Sequence, residues 1–311
     1  MTDDSIGIDI SKDHLDVHRL SGGQYAQFTN TREGFAALHR WIGSTATARV
    51  VYEATGPYHG TFEQALRDHL PLVKVNPLQA RRFAQASGTR AKTDAVDARM
   101  LARMGAAFKF EPDPHLPEDL PDLKELQIAR TALIKDQTRL KNRFQTQTLA
   151  ITRRHTKARL DQIARQLAQL DEEITSRLTA SPKRQKAYEI LQSIPGLGAT
   201  TAATILIEMP EIGTLTNKAV ACLAGLAPIT RQSGKWKGQA FIQGGRKFLR
   251  DALYMPALVA ARFNPDLTRK YQSMKAAGKP SKVALVTIMR KLIILANTLI
   301  KDDRKWVKNA A

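Results

Sequence analysis

Residues 6–29 read IGIDISKDHLDVHRLSGGQYAQFT, and this stretch decides the fold of the first part of the chain. Three short β-type runs stand in it: Ile6–Ile10, Leu15–Leu20 and Tyr25–Thr29. Only a few polar or glycine residues separate them, Ser11–His14 and Ser21–Gln24. Spacers this short leave no room for a crossover helix, so the runs predict an antiparallel meander. Outward from it, further β-type runs at Val50–Tyr52 and Leu72–Val75 alternate with helical patterns at Gly34–Ile42, Phe62–His69 and Asp94–Met104. Three strands, then helix, strand, helix, strand, helix is the element order of an α/β ribonuclease H-like domain, expected over 1–108.

The 311 residues suit about two domains of the usual size. Lys and Arg number 48 against 29 Asp and Glu, a formal charge of +19. A surplus of that size calls for a polyanionic partner, nucleic acid before an anionic membrane. The most apolar run, Val283–Ile300, is interrupted by Arg290 and Lys291, and its apolar residues recur at helical spacing. It reads as a buried helix face and not as a span of ~20 apolar residues, so no membrane partner is expected. The first residues, MTDDS, lack the basic start and apolar core of a signal peptide. The single cysteine, Cys222, allows no internal disulfide and reads as a small core residue. A cytoplasmic protein is the expectation.

Residues 109–121, KFEPDPHLPEDLP, hold four prolines and four acids and read as a linker, neither helix nor central strand. From 122 to 181 proline and glycine are absent until the segment ends at Ser181-Pro182, and leucines recur at Leu126, Leu133 and Leu140. Leu160, Ile163, Leu167, Leu170 and Ile174 alternate steps of three and four, the periodicity of an α-helical coiled coil. Two long helices reversing near Thr152–Lys157 are expected. Ten Lys and Arg stand against two Asp from Arg130 to Arg165, which favours a nucleic-acid-binding face over simple solvation. Arg139, Lys141, Arg143, Arg153 and Arg154 are its candidates. The remainder, 182–311, reads as a mainly α domain with glycine-rich loops.

Four acids stand out by context. Asp9 lies inside an apolar strand, where an unpaired carboxylate costs several kcal/mol to bury. Glu53 ends the run RVVYE, and Asp94 and Asp97 open a helix at i and i+3, so both project from one face. Converging, they could hold a hard divalent cation such as Mg²⁺, with Mn²⁺ as substitute. Taken singly, Asp94 and Asp97 could be first-turn acids behind a Thr93 cap, and Glu53 a loop residue. Nearby Asp13 and Asp16 read as solvent-facing. The sugar-kinase and actin-like ATPase branch of this fold is disfavoured, because Asp9 is followed by Ile-Ser-Lys with no phosphate-turn glycine.

Residues 191–200, LQSIPGLGAT, have the pattern of a helix-hairpin-helix, in which Gly196 and Gly198 let backbone N–H groups approach a phosphate. An ordinary helix–helix turn is the plainer alternative. Six basic residues and no acid lie from Arg231 to Arg250. Within them, Ser233 sits in a polar loop beside Arg231, Lys235 and Lys237. Its hydroxyl is either a phosphate-bonding group or a nucleophile. Trp236 either stacks on a base or anchors the loop. Arg246 and Arg250, after Gly244-Gly245, begin a helix whose start could face DNA phosphates.

Together, GIDISK, YEATG and KTDAVDA resemble the RuvC-like DEDD motif of insertion-sequence transposases of the IS one-ten type, one-eleven-eleven subgroup, a family that includes the pilin-gene invertases. IPGLG, GLAP and RQSGKWKGQAFIQGGRKFLRDALY look like that family's C-terminal domain. Many relatives read Ile-Ser-Lys where this chain has Ile242-Gln243-Gly244, which touches only a DNA contact. The resemblance implies that Ser233 is a nucleophile cutting and rejoining double-stranded donor and target DNA. It also implies a structured guide RNA and a dimer or tetramer in which one subunit's carboxylates meet another's serine. Two other readings stand beside it. One is a structure-specific nuclease using metal-activated water; the other is a nucleic-acid-binding protein on a decayed nuclease domain.

Overall fold

The computed structural model describes residues 4–43, 49–54, 56, 58–89, 93–113 and 117–308. The chain divides into two compact units, Met1–His115 and Leu116–Ala311. In the first, β1 (Ser5–Ile10), β2 (His14–Arg19) and β3 (Gln24–Thr29) form the antiparallel meander. Helix α1 (Arg32–Ile42) follows, capped by Thr31, whose hydroxyl accepts from Gly34 N–H. Strand β4 (Arg49–Glu53) then pairs in parallel with β1. After α2 (His59–Leu66), strand β5 (Leu72–Val75) pairs in parallel with β4. The sheet order is β3-β2-β1-β4-β5, with β1 at its centre.

Period-two alternation sorts the strand residues between two faces. Ile6, Ile8, Ile10, Leu15, Val17 and Tyr52 pack beneath α1 and α2. On the other face Val51, Val73 and Val75 lie under Phe83 of α3 (Pro77–Ala86) and under Leu101 and Met104 of α4 (Asp94–Phe108). Sequence periodicity misses α3, which is polar and largely exposed. Its local start signals are nonetheless present: Asn76 accepts from Leu78 N–H and Pro77 takes the first turn.

Helix α4 lies in backbone contact with β1. A Cβ on Gly7 would stand 2.0 Å from the Ala98 carbonyl oxygen and 2.3 Å from Ala102 N. Gly7→Ala is therefore expected to push α4 off the sheet, costing about 3 kcal/mol in chemical denaturation. An unchanged midpoint would refute this packing account.

The second unit opens with α5 (Leu120–Thr146) and α6 (Ala150–Thr179), joined by the Arg130–Asp171 and Arg177–Asp122 ion pairs. Leu120, Leu123, Ile174 and Leu178 at the base of this helical pair share one core with the helices that follow. Those are α7 (Pro182–Ser193), α8 (Ala199–Glu208), α9 (Asn217–Leu223), α10 (Lys247–Ala252), α11 (Tyr254–Phe263), α12 (Pro265–Ala276) and α13 (Ser281–Lys301). Helix α13 is long and apolar enough to cross a membrane. Here it buries Ile288, Met289, Leu292 and Ala296 in that core. Asn297 ties it down, donating to the Leu215 carbonyl at 2.9 Å and accepting from Gly213 N–H at 2.8 Å.

Several expectations need correction. The long helices reverse at 147–149, and Thr152–Lys157 lies inside α6. The Arg153 guanidinium holds that turn, donating to the carbonyls of Phe144 and Gln147 and stacking 4.1 Å from the Phe144 ring. No proline or glycine marks the break, so sequence punctuation could not place it. Residues 120 and 121 of the expected linker are helical. Pro121 stands in the first turn of α5, where its missing N–H has no partner to lose; residues 114–116 of that linker lie outside the described ones. Cys222 is exposed, because α9 turns it away from the face that buries Val220 and Ala221. Asp16 is buried, at 3% exposure.

Candidate active site

The sheet carries the first two acids. Asp9 sits near the end of β1 on the face that Gly7 presents to α4. Ile8 is paired with Tyr52, so the next residues along the two parallel strands, Asp9 and Glu53, stand side by side. The start of α4 supplies the other two. Thr93 caps it, accepting from Val96 N–H, and Asp94 and Asp97 project from its first turn. Ala98 lies against Gly7, so the contact that fixes α4 on the sheet also sets its acidic end beside Asp9. Asp9, Glu53, Asp94 and Asp97 all line one cavity of about 1130 Å³.

Electrostatics shows how closely they are gathered. Burial, followed by the charges of Asp94, Asp97, Glu53 and Asp16, raises the Asp9 pKa to about 6. Asp16 is the addition that sequence missed. It pairs with Asp9 across β1 and β2 and accepts hydrogen bonds from the Tyr25 hydroxyl and from Gln27 Nε2. The Asp16 hydrogen bond holds the Tyr25 phenol up at about 12. Alternation along HLDVHR puts His14, Asp16 and His18 on one face, but it does not reveal that α4 covers that face. Asp13 is exposed, as expected.

Among the described residues no three such side chains already form a finished metal cage. The donor set still fits a hard divalent cation. It consists of carboxylates clustered in one cavity, and one of them is pushed towards holding a proton by burial and by the charges of the others.

The second unit carries the other candidates. Strands β6 (Pro228–Ile229), β7 (Gln232–Ser233), β8 (Trp236–Lys237) and β9 (Phe241–Ile242) pair as β6 with β9 and β7 with β8. The expected polar loop is thus a two-tier hairpin. Ser233 pairs with Trp236 around Gly234 and Lys235, and Gly234 takes φ +53° to close the turn. Ser233, Lys235 and Lys237 are exposed, and Arg231 stacks 4.7 Å from the Phe241 ring. The Trp236 indole lies against Gly238, where a Cβ would approach it to 2.5 Å, yet 60% of the residue stays exposed.

Other candidates divide by environment. Gly196, between α7 and α8, has φ +106° and would drive a Cβ to 2.8 Å from the Pro256 carbonyl oxygen. Its glycine requirement comes from packing on α11, whereas Gly198 is exposed at the start of α8. Arg246 is committed internally, donating to the Glu208 carbonyl and pairing with Glu211 at 2.5 Å. Arg250 donates to the Gly244 carbonyl. On the long helices Arg139, Lys141, Arg143 and Arg154 are exposed, while Arg153 holds the turn. A groove of about 440 Å³ between α5 and α6 adds Arg159 to Arg139 and Arg143.

Comparison with known proteins bears on both units. Residues 6–154 match a family profile described as transposase, of the DEDD type, and residues 188–272 match one described as transposase IS116/IS110/IS902 family. The chain is 32% identical to the pilin gene-inverting protein of Moraxella bovis over 321 aligned residues, 97% of each chain. The Moraxella lacunata protein of the same name matches equally. A protein of insertion element IS110 from Streptomyces coelicolor is 29% identical over 50% of this chain and 38% of its own length.

Proposed function

The chain belongs to the IS110 family of insertion-sequence transposases, and from that premise we propose that it breaks and rejoins DNA through a covalent bond to Ser233. It is a DNA recombinase; the chemistry inside that class is what the site geometry supports. The Ser233 oxygen attacks a phosphodiester phosphorus, its proton leaves, and the 3′-oxygen departs as a hydroxyl. The 5′-phosphoserine left behind keeps the bond energy, so attack by a 3′-hydroxyl can reseal the strand and release the serine. Asp9, Glu53, Asp94 and Asp97 would hold Mg²⁺, or Mn²⁺, which supplies charge neutralisation at the phosphate and at the oxygens entering and leaving it. Arg231, Lys235 and Lys237 bind the same phosphate backbone from the serine's side.

The convergence of four acids distant in sequence on one cavity supports this reading most directly. Exposure of Ser233 on a hairpin flanked by three cations agrees with it. A net charge of +19, with ten Lys and Arg against two Asp from Arg130 to Arg165, suits a structured guide RNA as well as DNA. Serine and carboxylates stand in different units, which suits a homo-oligomer that shares them between subunits. The direct test is a denaturant-resistant protein–DNA adduct formed with Mg²⁺, the element's terminal DNA and its non-coding RNA. Failure to trap one under those conditions removes the serine mechanism.

A further inference from the structure

The carboxylates occupy only part of the cavity surface. The rest includes one face of α3, where Leu78, Arg81 and Gln85 recur at helical spacing with the small Ala84 between them. Among the described residues that line the cavity Arg81 is the sole basic one, and it is exposed. The plain role for a guanidinium beside acids is an ion pair, yet no ion pair or hydrogen bond of its side chain is found among the described residues. Its neighbour Arg82 is also exposed and is not among the residues lining the cavity. The volume of about 1130 Å³ stands at the upper end of the roughly 300–1,000 Å³ of small-molecule pockets and leaves room for part of a strand.

A DNA strand entering an acid-lined cavity meets repulsion that bound cations must offset. A guanidinium lining the same cavity, with no partner among the described residues, has the right sign and the planar donor geometry for a phosphate. Leu78, 50% exposed on the same face, offers apolar contact to a sugar or base. We propose that α3 is the strand-binding wall of the carboxylate cavity, with Arg81 gripping a phosphate of the DNA strand presented to the acids. This rests on the proposed function in taking DNA as the polymer. It makes Arg81 a substrate-binding residue on a helix that sequence motifs do not mark.

The test is equilibrium binding of a fluorescein-labelled single-stranded 20-mer to the full-length protein, by anisotropy, with Ca²⁺ present to prevent turnover. Arg81→Ala should bind about tenfold more weakly than Arg82→Ala, which loses the same charge away from the cavity. Its salt dependence should fall by about 0.7 in log–log slope, one phosphate contact on single-stranded DNA. Arg81→Lys should recover part of the affinity. Equal affinities and slopes for the two alanine variants overturn the proposal. Asp9→Asn separates this from the underlying reading. If calcium tightens binding equally for wild type and Asp9→Asn, the carboxylate site fails, whatever the two arginine variants show.

Discussion

Ser233→Ala abolishes recombination, by at least about 10³-fold, and removes every trace of protein–DNA adduct, if the serine is the nucleophile. The size of the effect follows from the chemistry. A water molecule attacking in its place would hydrolyse the phosphodiester and discard the energy that rejoining needs, so the substitution cannot be partly rescued. The fold should not suffer. Ser233 is exposed, and its pairing with Trp236 runs through the backbone, which alanine retains. DNA binding should accordingly stay within about twofold, since Arg231, Lys235 and Lys237 are untouched. Binding and cleavage assays on the same preparation therefore separate a lost nucleophile from a lost site. Cleavage that persists in Ser233→Ala at wild-type rate would make metal-activated water the nucleophile, and Ser233 a phosphate contact.

The meander was legible because its signals are local. Alternation and short spacers fixed β1, β2 and β3 to within a residue or two, and Asp9 stood out as a charge inside an apolar run. Asp94 and Asp97 were legible for a similar reason: a threonine cap and i, i+3 spacing define a helix start without reference to the rest of the chain. What depended on which element covers which face was not legible. Asp16 alternates as a solvent-facing residue should, and only the seating of α4 against Gly7 encloses that region of the sheet. Helix α3 turns only the short stripe of Ala80 and Phe83 to the sheet, and the rest of its surface is polar or lines the cavity, so its composition marks it weakly. The hairpin around Ser233 has strands of two residues, too short for any periodicity to register. Arg153 and Arg246 show the remaining limit. A basic residue in a basic segment reads as a nucleic-acid contact, but a carbonyl or carboxylate brought near by the fold can claim it first.

Asp9→Asn should reduce strand cleavage by about 10³-fold or more while making the metal-free protein more stable, and the two effects have one cause. In the fold the Asp9 carboxyl is raised from 3.8 to about 6, by burial first and then by Asp94, Asp97, Glu53 and Asp16. A folded state that holds a proton more tightly than the unfolded chain gains stability below pH 3.8. That contribution is lost as pH rises through about 6. At pH 8 the wild type therefore carries a charge, partly buried and beside other acids, that asparagine lacks. The variant should then be more stable by on the order of 1–2 kcal/mol, after allowing for solvent screening. Near pH 4 the advantage should shrink. Added Mg²⁺ reverses the order, since binding to the folded wild type stabilises it by mass action, whereas the variant has lost a carboxylate ligand. Thermal melts at pH 4 and pH 8, with EDTA or with millimolar Mg²⁺, resolve all of this. Identical magnesium-induced shifts in wild type and Asp9→Asn would mean that the acids gathered around Asp9 do not hold the ion, and the cleavage mechanism built on them would fall with that result.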